Sequence, residues 1–223
     1  AEKAGLSTTL MEQIVKRHKD AVNLLTTQYR MNEQMMHFSS QWFYGGNLKA
    51  ADEVKCRGIL DWDTPIEWVD TADLEMREEM VSDTNGRINK EEADMRLERL
   101  QAYVDKIGLE RILEERIDFG IISPYKAQVH YLRHRLKKSS ALQPLRKMIS
   151  VNTVDGFQGQ ERDVIFISMV RANEQGNIGF LNDLRRMNVA ITRARMKLVI
   201  LGDATTLTRH PFYHRLHAYI LSL

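Results

Sequence analysis

Cysteine is almost absent from this sequence, because Cys56 is the only one among 223 residues. A lone cysteine excludes an intramolecular disulfide and argues against a thiolate zinc site, which favours a reducing, cytoplasmic setting. Long apolar runs are absent too, since none reaches the roughly 20 residues of a membrane span. Residues 1–10 also lack the charged and then apolar pattern of a signal peptide. We therefore expect an intracellular protein without a membrane partner.

Neither sign of charge dominates the sequence. The 32 Lys and Arg residues nearly balance the 30 Asp and Glu residues, which leaves a net charge of +2. Overall charge therefore identifies no partner, although a local basic cluster can still bind phosphates. With no repeat and no obvious linker, we predict one domain over residues 1–223, large enough to bury its own core. The sequence starts without Met in helix-like material, so we expect a fragment of a longer protein.

Several catalytic and binding motifs are missing as well. The GFQG at residues 156–159 is not the GxGxxG of dinucleotide-binding proteins, and there is no GxSxG nucleophile elbow. Cys56 has charged neighbours and no identifiable histidine partner, so it is not expected to act as a nucleophile. The histidines at helical spacing have no suitable cysteine or carboxylate nearby, and we expect no metal site there. These predicted surface histidines are His130, His134, His210, His214 and His217.

Apolar runs rich in β-branched residues predict the strands of a buried parallel sheet. Residues 118–123, 164–170 and 198–201 are such runs, and helical patterns separate them. The alternation of strand and helix predicts an α/β fold with helices on both faces of a mostly parallel sheet. In such sheets ligands bind beyond the carboxyl ends of the strands. A polar loop with glycines is predicted at residues 153–163, and its residues 153–160 are assigned to one of those ends.

Other patterns predict how the sheet is covered. Residues 89–108 form a long helix with an apolar stripe, and its charged residues are expected to face solvent. Residues 31–42 carry methionine and aromatic residues at helical spacing, which is typical of core packing. A short helix is expected over residues 6–16. Residues 47–92 are expected to form a variable surface excursion, with a short strand at residues 66–70.

Arginine-rich material precedes the last predicted strand. An apolar stripe predicts a helix over residues 180–194, and Arg186 and Arg193 lie on a different stripe, two turns apart. A guanidinium is permanently charged and planar, so it suits phosphate oxygens. Arg30 stands just before another predicted helix, where backbone N–H groups also favour anions. A salt-bridged surface is the alternative, but five cationic residues over residues 185–197 favour phosphate recognition.

Four segments resemble the successive motifs of superfamily 1 helicases. The resemblance is to the group that contains the RNA helicase of nonsense-mediated decay and the mu-binding-protein helicase. In that family two RecA-like domains enclose ATP and together grip a single strand. This sequence resembles the second domain only, because it has neither GxxxxGK[ST] nor an acidic pair that ends an apolar strand. The four segments are TTQYRM, IISPYKAQ, TVDGFQGQERD and VRANEQGNIGFLNDLRRMNVAITRAR.

The resemblance implies roles for matching residues at the nucleotide. Arg193 matches the arginine finger, which stabilises charge on the γ-phosphate during its transfer. Arg30 resembles a second arginine that contacts the γ-phosphate. Tyr29 is placed to stack near the adenine, and Glu161 is placed to hydrogen-bond the ribose. Gln28, in the same motif as Tyr29, is assigned to the ATP site with them.

The resemblance also implies contacts to the nucleic acid. Thr153, Ser123 and Tyr125 look like contacts to the backbone of the strand, which position it without reading its bases. The sequence departs from the family pattern at two positions. Leu184 replaces a common proline, which puts the start of the arginine-rich helix in question. Gln160 replaces a residue that is often basic, which puts one electrostatic contact in question.

We therefore predict a RecA-like C-terminal motor domain of an ATP-dependent DNA or RNA helicase. Its nucleotide is ATP with Mg²⁺, and an N-terminal RecA-like domain of the same parent protein is expected to hold most of the metal's ligands. The fragment alone is not expected to hydrolyse ATP. Two alternatives stay open. One is a nucleic-acid-binding or regulatory module that kept the helicase fold, and the other is an unrelated α/β enzyme for a small molecule.

Overall fold

Helices and strands alternate along the chain as an α/β fold requires. The computed structural model describes residues 10–18, 20, 22–81 and 86–223. The first half of the chain contains α1 (Leu10–Arg17), β1 (Thr27–Gln28), α2 (Glu33–Phe43), β2 (Lys49–Ala50), β3 (Ile66–Asp70), β4 (Glu79–Met80), β5 (Arg87–Ile88), α3 (Lys90–Ile107) and α4 (Leu109–Glu115). The second half contains β6 (Phe119–Ser123), α5 (Lys126–Lys138), β7 (Ile149–Thr153), β8 (Arg162–Ser168), α6 (Leu184–Ile191), β9 (Ala194–Gly202), α7 (Ala204–Leu207) and α8 (Pro211–Leu221).

A five-stranded sheet, in the order β3-β9-β8-β6-β7, forms the centre of the fold. All its paired strands are parallel, and Phe166 of β8 lies between Ile121 of β6 and Val199 of β9. These three side chains are buried, because helices cover both faces of the sheet. The arrangement confirms the predicted RecA-like α/β class with a mostly parallel sheet.

Two hydrophobic clusters join the helices to the two faces of the sheet. On one face α2, α6 and α8 contribute Met35, Met187 and Phe212. On the other face α3 and α5 contribute Leu100 and Leu132. Burying a large apolar side chain of this kind stabilises the fold by about 1.5–3 kcal/mol. The methionine-rich helix therefore packs in the core, as its pattern predicted.

Strand β3 corrects the prediction for residues 47–92. It pairs with β9 along its whole length, with Ile66 opposite Leu198, and is therefore an edge strand of the central sheet. Ile66 is 1% exposed and Trp68 is 8% exposed. The prediction of a surface excursion is therefore wrong for this strand. A run of five residues is too short for its pattern to distinguish a sheet edge from an isolated surface strand.

Helix α3 confirms the predicted long helix. The prediction that all its charged residues face solvent is wrong. Asn89 caps its first turn by accepting a hydrogen bond from the backbone N–H of Glu92, and the helix ends at Gly108. Glu92 and Arg96, however, are buried. They continue the four-residue spacing of Leu100, so burial of that stripe carries them inside. Their nearest charged atoms, Oε1 and Nη2, are 3.7 Å apart.

The arginine-rich helix is shorter than the predicted residues 180–194. Helix α6 ends at Ile191, so Arg193 lies in a turn and Arg195 lies in β9. The predicted stripe shared by Arg186 and Arg193 is therefore wrong. An apolar stripe does not distinguish the last helical turn from the start of the next strand, because both present apolar residues to the same core.

The start of α6 settles the first departure from the family pattern. The helix begins at Leu184, and Asp183 caps it by accepting from the backbone N–H of Arg186 at 3.3 Å. A residue at the first helical position needs no partner for its N–H, and proline is tolerated there for that reason. Leucine in place of proline is therefore compatible with the same helix start.

Part of the N-terminal prediction falls outside the described residues. Helix α1 covers Leu10–Arg17, which overlaps the predicted helix over residues 6–16, whereas residues 6–9 lie outside the described ranges. Within those ranges, none of the helices has the length and apolar character needed to cross a membrane.

Candidate functional site

The predicted phosphate-binding arginines meet at the amino edge of the sheet, opposite to the edge that the sequence indicated. Strand β8 begins directly after Glu161, and β9 begins directly after Arg193. Because parallel strands start at the same edge, these two residues lie at the amino ends of neighbouring strands. Arg30 joins them from the segment that precedes α2.

Hydrogen bonds hold the segment of Arg30 against the start of β9. The backbone N–H of Asn32 donates to the carbonyl of Arg195 at 3.2 Å. The side chain of Asn32 caps α2 by accepting from the backbone N–H of Gln34 at 2.8 Å. One residue therefore fixes both the start of the helix and its attachment to the sheet, which places Arg30 at the amino edge.

The guanidinium of Arg30 bridges two parts of this edge. Its Nε donates to the carboxylate of Glu161, and its Nη1 donates to the carbonyl of Thr192 at 3.0 Å. The side chains of Arg30 and Glu161 are 34% and 39% exposed, so the pair faces solvent. The pair orients Arg30 and leaves it accessible to a ligand.

Arg193 lies beside this pair, and its hydrogen-bond acceptors are neutral. Its Nε donates to the carbonyl of Val189 at 2.9 Å, and its Nη1 donates to the carbonyl of Gln160 at 3.1 Å. Burial, and then the positive charge of Arg30, lower the pKa of Arg193 from its ordinary value. Two neighbouring cations repel each other unless an anion joins them. The arrangement is therefore suited to an anionic ligand.

The second departure from the family pattern is Gln160, and its effect on an electrostatic contact stays a prediction. It contacts Arg193 through its main-chain carbonyl. Its side-chain amide instead donates to the carbonyl of Gly156 at 3.1 Å and accepts from Arg162 at 3.0 Å. Any residue supplies a main-chain carbonyl, so this contact to Arg193 does not need a basic side chain.

Arg195 is a member of the cluster that the sequence interpretation counted among five cationic residues but to which it gave no role of its own. Its guanidinium lies 2.9 Å from Asp163, 3.3 Å from Asp118 and 3.6 Å from Glu161. Glu161 is therefore held by two cations, Arg195 and Arg30. The sequence holds no clear signal for this role, because two arginines two residues apart are too few to establish the alternation of a strand.

Gln28 and Tyr29 precede Arg30, and their side chains differ in how accessible they are to a ligand. The Oε1 atom of Gln28 accepts from the backbone N–H groups of Arg30 at 2.8 Å and Met31 at 2.7 Å. Its side chain therefore builds the turn that carries Arg30. Tyr29 is 68% exposed, so its ring is accessible next to the arginines. The roles of both residues at a nucleotide stay predictions.

The segment 154–161 connects the two edges of the sheet. It leaves β7 after Thr153 at the carboxyl edge and reaches Glu161 at the amino edge. Phe157 anchors it to β6, because a Cβ on Gly120 would lie 3.0 Å from the buried Phe157 ring. The hydroxyl of Thr153 accepts a backbone N–H of the same segment at 3.3 Å. The predicted loop at residues 153–163 is thus a connection between the two edges of the sheet that is anchored in the core at Phe157.

Ser123 and Tyr125 lie at the carboxyl edge but are buried. Their exposed fractions are 0% and 3%, whereas Thr153 is partly exposed. The hydroxyl of Ser123 accepts from the backbone N–H of Tyr125 at 3.4 Å, and the hydroxyl of Tyr125 accepts from Arg171 at 3.3 Å. Both side chains thus have partners within the chain, and their contacts to a nucleic-acid strand stay predictions.

Two of the histidines at helical spacing have structural contacts. His210 caps α8 by accepting from the backbone N–H of Phe212 at 3.2 Å. His217 packs edge-on against Trp68, with ring centroids 5.1 Å apart. Across the part of the chain that the structure describes, no group of three His, Cys, Asp or Glu residues could hold a metal ion.

Known proteins similar to this chain are helicases and nucleic-acid-binding proteins of much greater length. An uncharacterized ATP-dependent helicase of Methanocaldococcus jannaschii is 36% identical over 97% of the chain, which spans 32% of that protein. The putative regulator of nonsense transcripts 1 of Takifugu rubripes is 36% identical over 97% of the chain and 19% of its own length. DNA-binding protein SMUBP-2 of Mesocricetus auratus is 34% identical over 97% of the chain and 22% of its own length.

These similarities confirm the resemblance to superfamily 1 helicases that the motifs predicted. The chain spans about a third or less of the length of these relatives. The family described as an AAA domain matches residues 6–205, which is most of the chain. By that match the chain belongs to the AAA domain family, in which it corresponds to one segment of longer, helicase-like proteins.

Proposed function

We propose that this chain is the second RecA-like domain of an ATP-dependent DNA or RNA helicase. The observation that supports the proposal best is the meeting of two arginines at one accessible place. Arg30 donates to the carbonyl of Thr192, and Arg193 is the next residue along the chain. The relative from Methanocaldococcus jannaschii, whose name is that of an ATP-dependent helicase, supports the same conclusion.

In the proposed mechanism Arg30 and Arg193 bind the γ-phosphate of ATP. The neutral acceptors of Arg193 leave its charge available for phosphate oxygens. Negative charge on those oxygens is stabilised during transfer by a fixed guanidinium, an effect of about 10³–10⁵ in rate. Glu161 holds Arg30 until a phosphate competes for it, and is then free to accept a ribose hydroxyl. The exposed ring of Tyr29 is available to stack on the adenine.

The phosphate loop and the Mg²⁺ ligands belong to another domain of the parent protein in this proposal. No GxxxxGK[ST] occurs in the 223 residues, so the lysine and hydroxyl that hold the β- and γ-phosphates must come from elsewhere. The chain alone would then not hydrolyse ATP. Binding of ATP would draw the two domains together through Arg30 and Arg193, and hydrolysis would release them.

Segment 154–161 would carry this movement to the nucleic acid. It runs between the amino edge, where Glu161 contacts Arg30, and the carboxyl edge, where Thr153 is partly exposed. Phe157 lies between the two ends of the segment and is buried against Gly120 of β6, so a shift at one end would reach the other through this residue. Single-stranded DNA or RNA, bound through its phosphates, would be the partner at the carboxyl edge.

Replacement of Arg193 in the parent protein tests the proposal. Arg193→Ala is expected to lower nucleic-acid-stimulated ATPase activity by about 10³–10⁵-fold, and binding of the single strand should persist. Arg111→Ala is the matched control, because Arg111 is an exposed arginine of α4 that pairs with Glu115. Thermal unfolding followed by circular dichroism checks that both variants are folded. Ordinary ATPase activity in Arg193→Ala would contradict the motor role and favour a nucleic-acid-binding module.

A further inference from the structure

Phe180 is an exposed aromatic residue in a turn that is otherwise anchored in the core. It lies in the 3-10 turn Gly179–Asn182, which leads into α6. Phe180 is 53% exposed, whereas Leu181 is 3% exposed. The ring of Phe180 contacts the ring of Tyr125, with centroids 5.5 Å apart and planes inclined by 48°. Half of the Phe180 residue therefore stays open to solvent beside a buried aromatic neighbour.

The backbone that carries Phe180 is held in place from both sides. Gly179 has a φ of +52°, and a Cβ there would lie 2.3 Å from Nη1 of Arg171, so the turn depends on glycine. The hydroxyl of the buried Tyr213 donates to the carbonyl of Leu181 at 2.7 Å. The turn is already ordered before a ligand binds. Binding at Phe180 would therefore cost little conformational entropy of the turn.

Phe180 lines two clefts at the carboxyl edge of the sheet. The larger cleft, of about 300 Å³, is also lined by Arg87 and Tyr125. The smaller cleft, of about 40 Å³, is also lined by Thr153 and Arg186. Space beside an exposed aromatic ring is what a nucleobase needs in order to stack, and proteins that bind single strands commonly use such rings.

Charges of both signs surround the smaller cleft. The side chain of Arg186 is 52% exposed and lies 3.3 Å from Asp155 and 3.6 Å from Asp183. Lys126 is exposed at the start of α5, at the same edge. The two carboxylates weaken the attraction of Arg186 for phosphates, so charge alone is a poor explanation for binding at this place. An aromatic contact would add affinity that does not depend on charge.

We propose that Phe180 stacks on a nucleobase of the single strand bound at the carboxyl edge. The inference rests on the proposed function and adds a base contact to Thr153, which would position the backbone of the strand. Every nucleobase has an aromatic face, so a stacking contact accepts any sequence. A motor that steps along a strand needs contacts of this kind.

Equilibrium binding of the parent protein, which carries both domains of the proposed strand-binding site, to labelled single strands tests the stacking contact. The probes are oligodeoxythymidylate, oligouridylate and an abasic strand that has the same number of phosphates. Phe180→Ala is expected to weaken binding of a base-bearing strand by about 5- to 100-fold. Affinity for the abasic strand should stay the same, and so should the salt dependence that reports phosphate contacts.

Matched variants separate stacking from general apolar contact. Phe180→Trp should retain the affinity, whereas Phe180→Leu should not, because leucine has apolar bulk but no aromatic face. Trp62→Ala is the control for an exposed aromatic residue elsewhere, since Trp62 is fully exposed and precedes β3 at the amino edge. It should bind all three strands as the unmodified parent protein does.

The outcomes distinguish this inference from the proposed function. Salt-sensitive binding of base-bearing strands that is equal in Phe180→Ala and the unmodified parent protein would overturn stacking alone. Full affinity in Phe180→Leu would overturn it as well. If the unmodified parent protein binds none of the strands even at low salt, nucleic-acid binding and stacking fail together. Circular dichroism checks the folding of each variant, and the Trp and Leu variants decide the question if Phe180→Ala unfolds.

Discussion

Two arginine–carboxylate pairs of this chain have opposite environments. At the amino edge the side chains of Arg30 and Glu161 are 34% and 39% exposed. Beneath the sheet the side chains of Arg96 and Glu92 are 0% and 1% exposed. The exposed pair joins residues 131 positions apart, whereas the buried pair joins successive turns of α3. The difference in burial separates a pair that can change partners from one that cannot.

The buried pair fixes the end of β8. The carboxylate of Glu92 accepts from the hydroxyl of Ser168 and from the backbone N–H of Val170 at 3.0 Å. Arg96 donates to the carbonyl of Ile167. Val170 has a φ of +68°, which is costly for a β-branched residue and persists only where its surroundings hold it. Glu92 supplies that hold at the start of the loop that leaves β8 at the carboxyl edge.

The exposed pair has alternative partners. Glu161 is also 3.6 Å from Arg195, and Arg30 also donates to the carbonyl of Thr192. Opening an exposed pair costs about 0–1 kcal/mol, whereas leaving a buried charge unpaired costs about 3–5 kcal/mol. A phosphate can therefore replace Glu161 at Arg30 at small cost, while no comparable exchange is available to Arg96.

Removing Arg96 is expected to have the largest effect on stability. Arg96→Ala leaves the carboxylate of Glu92 without a counter-charge in the interior, which should lower the free energy of unfolding by about 3–5 kcal/mol. Urea-induced unfolding measures the change. Arg99→Ala is the control, because Arg99 is exposed on the same helix, and it should stay within about 0.5 kcal/mol of the unmodified chain. If Arg96→Ala and Arg99→Ala lowered the free energy of unfolding by similar amounts, the buried pair would contribute no more to stability than an exposed arginine does.

The buried carboxyl group also predicts a pH dependence of stability. Burial raises the pKa of Glu92 from 4.5 to about 6, although Arg96 acts in the opposite direction. The folded state therefore keeps a proton that the unfolded chain has already released. The stability from this proton is fully present below pH 4.5 and is lost as the pH rises through about 6. The loss is on the order of 2 kcal/mol.

The measurement compares the free energy of unfolding of variants between acidic and neutral pH. The stability of the unmodified chain should fall relative to that of Glu92→Gln as the pH rises, because glutamine does not titrate. Glu91→Gln, at an exposed neighbouring position, should keep the slope of the unmodified chain. Equal slopes in the unmodified chain and Glu92→Gln would show that burial does not perturb this carboxyl group.

Periodicity predicted the elements that bury apolar side chains. Strands β6 and β8 and helices α3 and α5 follow from it, because their apolar residues must be covered. The same reasoning failed for Glu92 and Arg96, since opposite charges four residues apart are also typical of an exposed helical pair. Their continuation of the spacing of Leu100 was the signal that distinguished the two cases.

The position of the candidate site could be predicted only in part. The family motifs identified Arg30, Glu161 and Arg193, and the structure brings these residues together. Sequence reasoning assigned residues 153–160 of the predicted loop to the carboxyl edge. A connection between parallel strands must instead return along the sheet to start the next strand, and this one carries Glu161 to the amino edge. The resemblance, rather than composition, suggested the role of each residue.

Opening the exposed pair is expected to have the smallest effect. Glu161→Gln should lower the free energy of unfolding by no more than about 1 kcal/mol, because water already reaches both groups. A double-mutant cycle with Arg30→Ala isolates the coupling between the two side chains, which should be about 0.2–1 kcal/mol. The matched pair is Arg111 and Glu115, whose side chains are 41% and 51% exposed, and its coupling should be similar.

A coupling of several kcal/mol between Arg30 and Glu161 would contradict this comparison. It would mean that the amino edge is fixed as firmly as the pair beneath the sheet. An incoming phosphate would then have to overcome that coupling before it reached Arg30, and ATP binding would lose that much affinity. The proposed cycle requires the opposite, because Arg30 must be released by Glu161 whenever ATP binds and recaptured whenever the γ-phosphate leaves. A weak coupling is therefore a condition for the motor role, and its measurement tests that role without a nucleotide.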